Sequence, residues 1–354
     1  MRRVTKLVAV LATAVLSLSA CGGDDDPKTS TPGAPAPAAK KTVKVGLAYD
    51  IGGRGDKSFN DSAAAGLERV KSELNLDVRE LSAKANEPDT DKEERLRLLA
   101  KAGFNPIIGV GFAYAGPMTK VAKEPANKDI NFAIIDGVVE GATNVEGHIF
   151  AAEQGSYLVG MAAALKSKTG NVGFVGGCTV PLISTFQAGF EAGAKAAKPN
   201  TKVQVKYLST PAQKCSGFND PAAGQTTATG MYEAGADVVY QVAGGSGGGV
   251  FKAAQSAGKL AIGVDSDQYN SADASVKEVI ITSMLKRVDN AVFDIVKRAG
   301  EGKFKPGLVE WDLGNEGVGY STSGGKIDDI KAQLEEAKGK IVSGSVKVPT
   351  KAAS

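Results

Sequence analysis

Histidine is almost absent from this chain. His148 stands alone in 354 residues, beside only three cysteines, Cys21, Cys178 and Cys215. Two internal cysteines and one distant histidine do not make a zinc ligand set, and no calcium-loop pattern occurs. No G-x-x-x-x-G-K-[ST] is present, so the chain should not hydrolyse ATP itself. The window Gly245 to Val250 misses the dinucleotide fingerprint at its last position, and Gly53-Arg54-Gly55 lacks the third glycine. Gly244-Gly245-Ser246-Gly247-Gly248 fits the G-x-S-x-G pattern of a nucleophile elbow, but His148 precedes the serine where α/β hydrolases have it after. The better reading is a glycine-rich turn whose amides and Ser246 hydroxyl face a cleft.

Excess charge is missing as well. Arg2, Arg3 and Lys6 account for the formal +3, and without them 39 basic residues face 39 acidic ones. Nucleic-acid binding therefore has no support. Aromatic residues are scarce at 6%, while glycine is abundant at 44, a pairing that suits α/β domains with tight turns. The apolar run Leu7 to Leu18 is twelve residues long, too short to span a bilayer. With its basic start it reads as an export signal over residues 1–20. Leu18-Ser19-Ala20-Cys21 matches a bacterial lipobox, so lipid is expected on Cys21. Residues 21–42 lack any large apolar side chain and read as a disordered tether with a reach of about 25 Å.

From Val43 onward, apolar runs alternate with helical segments, which argues for α/β architecture with parallel sheets. Val43 to Gly66 reads as strand, glycine loop and helix, with Asp50, Phe59 and Asn60 around the loop. Ligands of open α/β sheets bind at strand carboxyl ends. These three residues are thus ligand-contact candidates, or else components of a well-made turn. The spacing repeats. Gly46 to Phe59 and Gly173 to Phe186 both span thirteen positions, and in each half an apolar strand then ends in aspartate, Asp136 or Asp265. Two similarly built lobes are expected, with Phe59 and Phe186 opposed across a cleft as a slot for a flat ligand. Lys286 follows a predicted strand and is either a hydrogen-bond donor to ligand or a solvated lysine. Cys178 and Cys215 each follow a predicted strand. If those strands are parallel neighbours the two can bridge, and otherwise they are two small unpaired residues.

DIGGRGDKSFN at Asp50 to Asn60 resembles the D-x-G-G-x-x-D-x-S-F-N signature of the Bmp/PnrA family of basic membrane lipoproteins. GVGF ending at Phe112, VGFVGG at Val172, AGGSGGGV at Ala243, IGVDSDQ at Ile262 and TSMLK at Thr282 are similar to that family too. The resemblance implies a type I periplasmic-binding-protein fold, two Rossmann-like lobes joined by a hinge. It implies a substrate-binding lipoprotein of an ABC importer, serving a permease and a separate ATPase, with a nucleoside, purine for preference, as ligand. Asp50 and Asn60 would meet the base edge. Phe59 and Phe186 would stack on the base, and Phe112 joins the binding set. Gly244 and Ser246 would lie along the ribose, with Asp265, Lys286 and Asp136 near its hydroxyls. The Cys178 and Cys215 pair and the loop Ser209 to Asp220 depart from the family pattern. A lipid-anchored monomer on the extracytoplasmic face is expected, without cofactor, metal or catalysis. The rival readings are a surface sensor, a receptor for a sugar, and a nucleoside hydrolase using Asp50 and Asp136. Lobe 1 is expected over 43–147 plus about 286–304, and lobe 2 over 148–285 plus about 305–345.

Overall fold

In the computed structural model of the chain, residues 43–84 and 86–352 are described. The export signal, Cys21 and the tether lie outside them. The strands are β1 (Lys44–Ala48), β2 (Asp77–Leu81), β3 (Ile107–Val110), β4 (Phe132–Ile135), β5 (Val145–Phe150), β6 (Asn171–Gly176), β7 (Lys202–Tyr207), β8 (Val238–Val242), β9 (Leu260–Asp265), β10 (Ile280–Lys286), β11 (Gly307–Trp311) and β12 (Val318–Tyr320). The helices are α1 (Phe59–Leu74), α2 (Asp89–Lys101), α3 (Ala115–Ala122), α4 (Ala152–Lys166), α5 (Pro181–Ala197), α6 (Pro221–Glu233), α7 (Gly247–Ala257), α8 (Gln268–Ser271), α9 (Val288–Gly300) and α10 (Lys331–Val342).

Two six-stranded sheets result. Their orders are β11-β5-β4-β3-β1-β2 and β12-β10-β9-β8-β6-β7. The second order is the first with each strand replaced by its counterpart, so the repeat in the sequence is a repeat of topology. Strands β3, β4 and β8 are buried along their whole length, as continuous apolar runs covered on both faces must be. In the first sheet Val45 and Leu47 pack with α1 and α9, while Ala48 and Ile107 pack with α2 and α3. In the second, Phe174 and Tyr240 face α4 and α5, and Val175 and Val239 face α6 and α7.

The sequence reading needs correction on strand placement. Residues from about 305 were expected in the second lobe, yet β11 pairs with β5 in parallel at the edge of the first sheet. Likewise His148 lies on β5, within that sheet. The sheets are also not wholly parallel, since β12 runs antiparallel beside β10. Sheet membership is a long-range choice that a strand's own pattern does not encode.

Three chain crossings join the lobes. Ala151 alone links β5 to α4, Arg287 alone links β10 to α9, and residues 312–317 link β11 to β12. The crossings hydrogen-bond to one another: Ala151 N–H donates to Trp311 O at 2.8 Å, and Arg287 N–H to Gly317 O at 2.9 Å.

The glycines where α4 meets α5 have a packing reason. The helices press so closely that a Cβ at Gly160 of α4 would stand 2.2 Å from Phe190 O, and one at Gly193 of α5 only 1.9 Å from Tyr157 O. Gly193→Ala should therefore force the helices apart and lower stability by about 1–3 kcal/mol. A urea denaturation midpoint equal to that of the parent protein would contradict this packing.

Candidate functional site

The carboxyl ends of the strands of both sheets meet at one cavity between the lobes, with about 70 Å³ open to the centre of a water-sized sphere. Of the residues singled out from sequence, Asp50, Phe59, Asn60, Phe112, Asp136, Phe186, Gly244, Asp265 and Lys286 line it together.

At one end stands Asp50, two residues past β1. Its Oδ1 accepts the Ile51 N–H at 2.8 Å. Its Oδ2 lies against Gly111, where an added Cβ would come within 2.2 Å; the φ of +98° there also favours glycine. Burial pushes the Asp50 carboxyl up to about 6, against the pull of the Ile51 amide and Lys92. Asn60 serves as a brace. Its Oδ1 accepts the Asp50 N–H at 3.3 Å and its Nδ2 donates to Ile51 O at 3.2 Å. Asp56 caps α1, accepting the N–H groups of Ser58, Asn60 and Asp61 at 2.9, 2.8 and 3.0 Å. That cap fixes where Phe59, the first residue of α1, presents its ring.

The other end is charged. Lys286, only 2% exposed, pairs with Asp136 from the opposite lobe. Its Nζ lies 4.8 Å from the Phe59 ring centroid, 5.1 Å from Phe150 and 5.5 Å from Phe186. Phe59 and Phe186 thus flank one ammonium as well as one cavity. Asp136 and Asp265 hold equivalent strand-end positions, and both adopt left-handed backbone, with φ of 61° and 63°. Such conformations cost energy for a residue with a Cβ and concentrate at functional sites. Asp265 Oδ2 accepts the Ser58 hydroxyl across the cleft at 2.6 Å. Burial pushes Asp265 up to about 6, and the opposing pull of Lys286 and Ser58 does not fully offset this. Asp136 Oδ1 is buried with no hydrogen-bond partner among the described residues.

The lobes are closed over this space. Ser266 Oγ donates to Ser58 O at 2.8 Å, Gln268 Nε2 to Lys57 O at 2.9 Å, and Lys57 Nζ stands 2.6 Å from Asp273.

Ser246 is not at the cavity. Its hydroxyl is buried, donates to Gly217 O at 2.7 Å and accepts the Asp220 N–H at 2.7 Å. The G-x-S-x-G run is thus a loop clamp, with no serine free to attack or to touch a sugar. His148 sits in the wall of the first sheet, where its Nδ1 accepts the Trp311 Nε1–H at 2.9 Å. The sequence reading missed Ile51, Asp56, Leu182, Ile183, Phe218 and Val242 in the lining. Ile51 and Asp56 lie inside the DIGGRGDKSFN motif. Phe218 had a weaker signal, its place three residues after Cys215. The structure joins Cys178 to Cys215 as a disulfide.

A family model described as "ABC transporter substrate-binding protein PnrA-like" matches residues 42–352. The chain belongs to this family. The PnrA-like family is one of ABC transporter substrate-binding proteins, not a class of enzymes. An "ABC transporter nucleoside-binding protein BmpA" from Lactococcus lactis is 33% identical, over 99% of this chain and 99% of its own. An uncharacterized lipoprotein from Pyrococcus abyssi is 33% identical, over 96% of this chain and 81% of its own. Among solved structures, a solute-binding protein of an ABC transporter system from Aeropyrum pernix superposes with a TM-score of 0.74. It is 29% identical and covers 87% of this chain and 94% of its own. The PnrA-like chain has the two-lobed type I periplasmic-binding-protein fold expected from its motifs.

Because the folded pKa of Asp265, about 6, lies above its unfolded value of about 3.9, its charge opposes folding once pH exceeds the lower figure. Asp265→Asn should therefore stabilise the protein by up to about 3 kcal/mol at pH 7.5. The gain should shrink through pH 6 and vanish near pH 4. Urea unfolding at several pH values checks this, and a gain independent of pH would contradict it.

Proposed function

We propose that the chain captures a nucleoside, purine for preference, between its lobes and delivers it to a membrane permease driven by a separate ATPase. One arrangement carries the reading: Phe59 at the start of α1 and Phe186 in the second turn of α5, one from each lobe, line one cavity with Asp50 at one end and Asp136, Asp265 and Lys286 at the other. A base is apolar on its faces and polar on its edge, so rings suit the faces and a carboxylate suits the edge. A ribose carries adjacent hydroxyls. The partnerless Asp136 Oδ1 and the carboxylate of Asp265 are acceptors for them, and Lys286 is a donor. Gly244 lines the same cavity, beside Phe218.

Capture without turnover is part of this reading, and the family's description as substrate-binding proteins supports it. Lipid on Cys21 would hold the protein, as a monomer, to the outer face of the membrane, and the name of the lipoprotein relative agrees with this. Lobe closure about the three crossings is the expected mechanism of capture and release.

Phe59→Ala should weaken nucleoside binding by about tenfold or more in calorimetry. Unchanged affinity would remove the stacking slot. Asp265→Ala should weaken ribonucleosides more than free bases, because the lost acceptor leaves hydroxyls unpaired. Equal losses would count against its place beside the ribose. Prolonged incubation with nucleoside should release no free base, and turnover would overturn the receptor reading.

A further inference from the structure

Asp50 has a charged neighbour that lies outside the inner cavity. Lys92, in the first turn of α2, is only 6% exposed. It lines a second, outer cavity between the lobes and is not in the lining of the inner one, whereas Asp50 borders both. Among the described residues, the Asp50 carboxyl accepts one hydrogen bond, from the Ile51 N–H at 2.8 Å.

The carboxylates beside Lys92 do not use up its charge. Asp89 Oδ1 and Glu87 Oε1 stand 3.6 and 3.9 Å from its Nζ, beyond hydrogen-bond reach. Asp89 is exposed, so water screens it. Glu87 is buried but taken by Arg95, whose guanidinium donates to its two oxygens at 2.8 and 2.6 Å. Arg95 also donates to the Tyr114 hydroxyl, and burial keeps that phenol neutral. On the inner side, Asp56 spends its carboxylate on the cap of α1, and Asp136 pairs with Lys286. Lys84 and Lys214 border the outer cavity, where Lys214 Nζ donates to Asn86 O at 2.6 Å. Among these groups Lys92 draws the Asp50 carboxyl toward its ionised form, while Glu87 and Asp136 oppose it.

Whether Asp50 is ionised decides which base edge it can meet. A carboxylate only accepts hydrogen bonds, whereas a carboxylic acid donates one and accepts another. With the ribose at the Asp136 and Asp265 end, the part of a purine that reaches Asp50 is the far edge of its six-membered ring. Guanine presents two N–H donors there, on N1 and on its amino group. Adenine presents an amino donor beside an N1 acceptor.

We propose that Lys92 is a positioning residue for specificity: without touching the ligand, its buried ammonium holds Asp50 as a carboxylate and so favours a guanine edge over an adenine edge. The assignment rests on the nucleoside reading, which puts the base edge at Asp50. Burial alone would leave Asp50 a neutral acid, which suits adenine.

The test is calorimetry of guanosine and adenosine on the full chain from pH 5 to 8, a range in which neither base changes protonation. Affinity of the parent protein for guanosine should fall as pH drops through about 6, while that for adenosine holds or rises. In Lys92→Met the loss of guanosine binding should begin about one pH unit higher, and the guanosine-to-adenosine affinity ratio at pH 7 should drop about tenfold. Lys92→Arg should restore both. In Asp50→Asn the ratio should not depend on pH, and adding Lys92→Met should not move it. If Lys92→Met does not fold, Lys92→Gln takes its place. An unmoved guanosine profile in the Lys92 variant, or equal weakening of both ligands at every pH, overturns the proposal while leaving the nucleoside reading intact. A parent protein that binds neither ligand overturns the nucleoside reading, and this proposal with it.

Discussion

One buried ammonium holds the two lobes in register. Lys286 ends a strand of the second sheet, pairs with Asp136 of the first, and lies against rings from both. Taking an ammonium out of water costs several kcal/mol unless a carboxylate and further polar or aromatic partners compensate it. Those partners come from opposite sides of the cleft, so compensation is complete only when the lobes are together. The same requirement explains why carboxylates gather at this end. Asp265 lies close enough for Lys286 to pull on its titration, yet burial dominates and leaves it reluctant to ionise.

Around that centre the fold is built twice. Matching strand orders put Asp136 and Asp265 at matching strand ends, with the same left-handed backbone. Duplication thus supplies a pair of carboxylates without any local sequence having to encode the pair. What differs between the halves is in the loops. The first lobe uses Asp56 and Asn60 to brace the glycine turn after β1, while the second uses a disulfide and two serines to brace the long loop after β7.

Much of this was legible in the sequence. The alternation of runs and helices led to α/β sheets, and the thirteen-residue spacing led to two lobes with opposed phenylalanines. Nine residues chosen from motifs do line one cavity. Other features were out of reach for physical reasons. Ser246 lies in a motif that suggests exposure, but its hydroxyl is consumed by Gly217 and Asp220, which are 29 and 26 residues upstream and placed only by tertiary folding. Asn60 was read as a ligand contact, while much of its amide is spent on its own loop. Phe218 sits in irregular chain, where no periodicity reports which way a ring points. Strand β11 has no pattern that names its partner, so its place beside β5 emerges only from the assembled sheet.

The belt of crossings has a consequence for how such a molecule can change. Two of its three spans are single residues, Ala151 and Arg287, and they directly follow Phe150 and Lys286; the Lys286 ammonium lies 5.1 Å from the Phe150 ring and lines the cavity. Joint and cavity wall are therefore adjacent links of one chain. A drift in sequence that retuned the contact would also alter the stiffness of the joint, and the reverse holds too. Cavity wall and joint are mechanically coupled here, whereas the long loop bearing Phe218 is not part of any crossing.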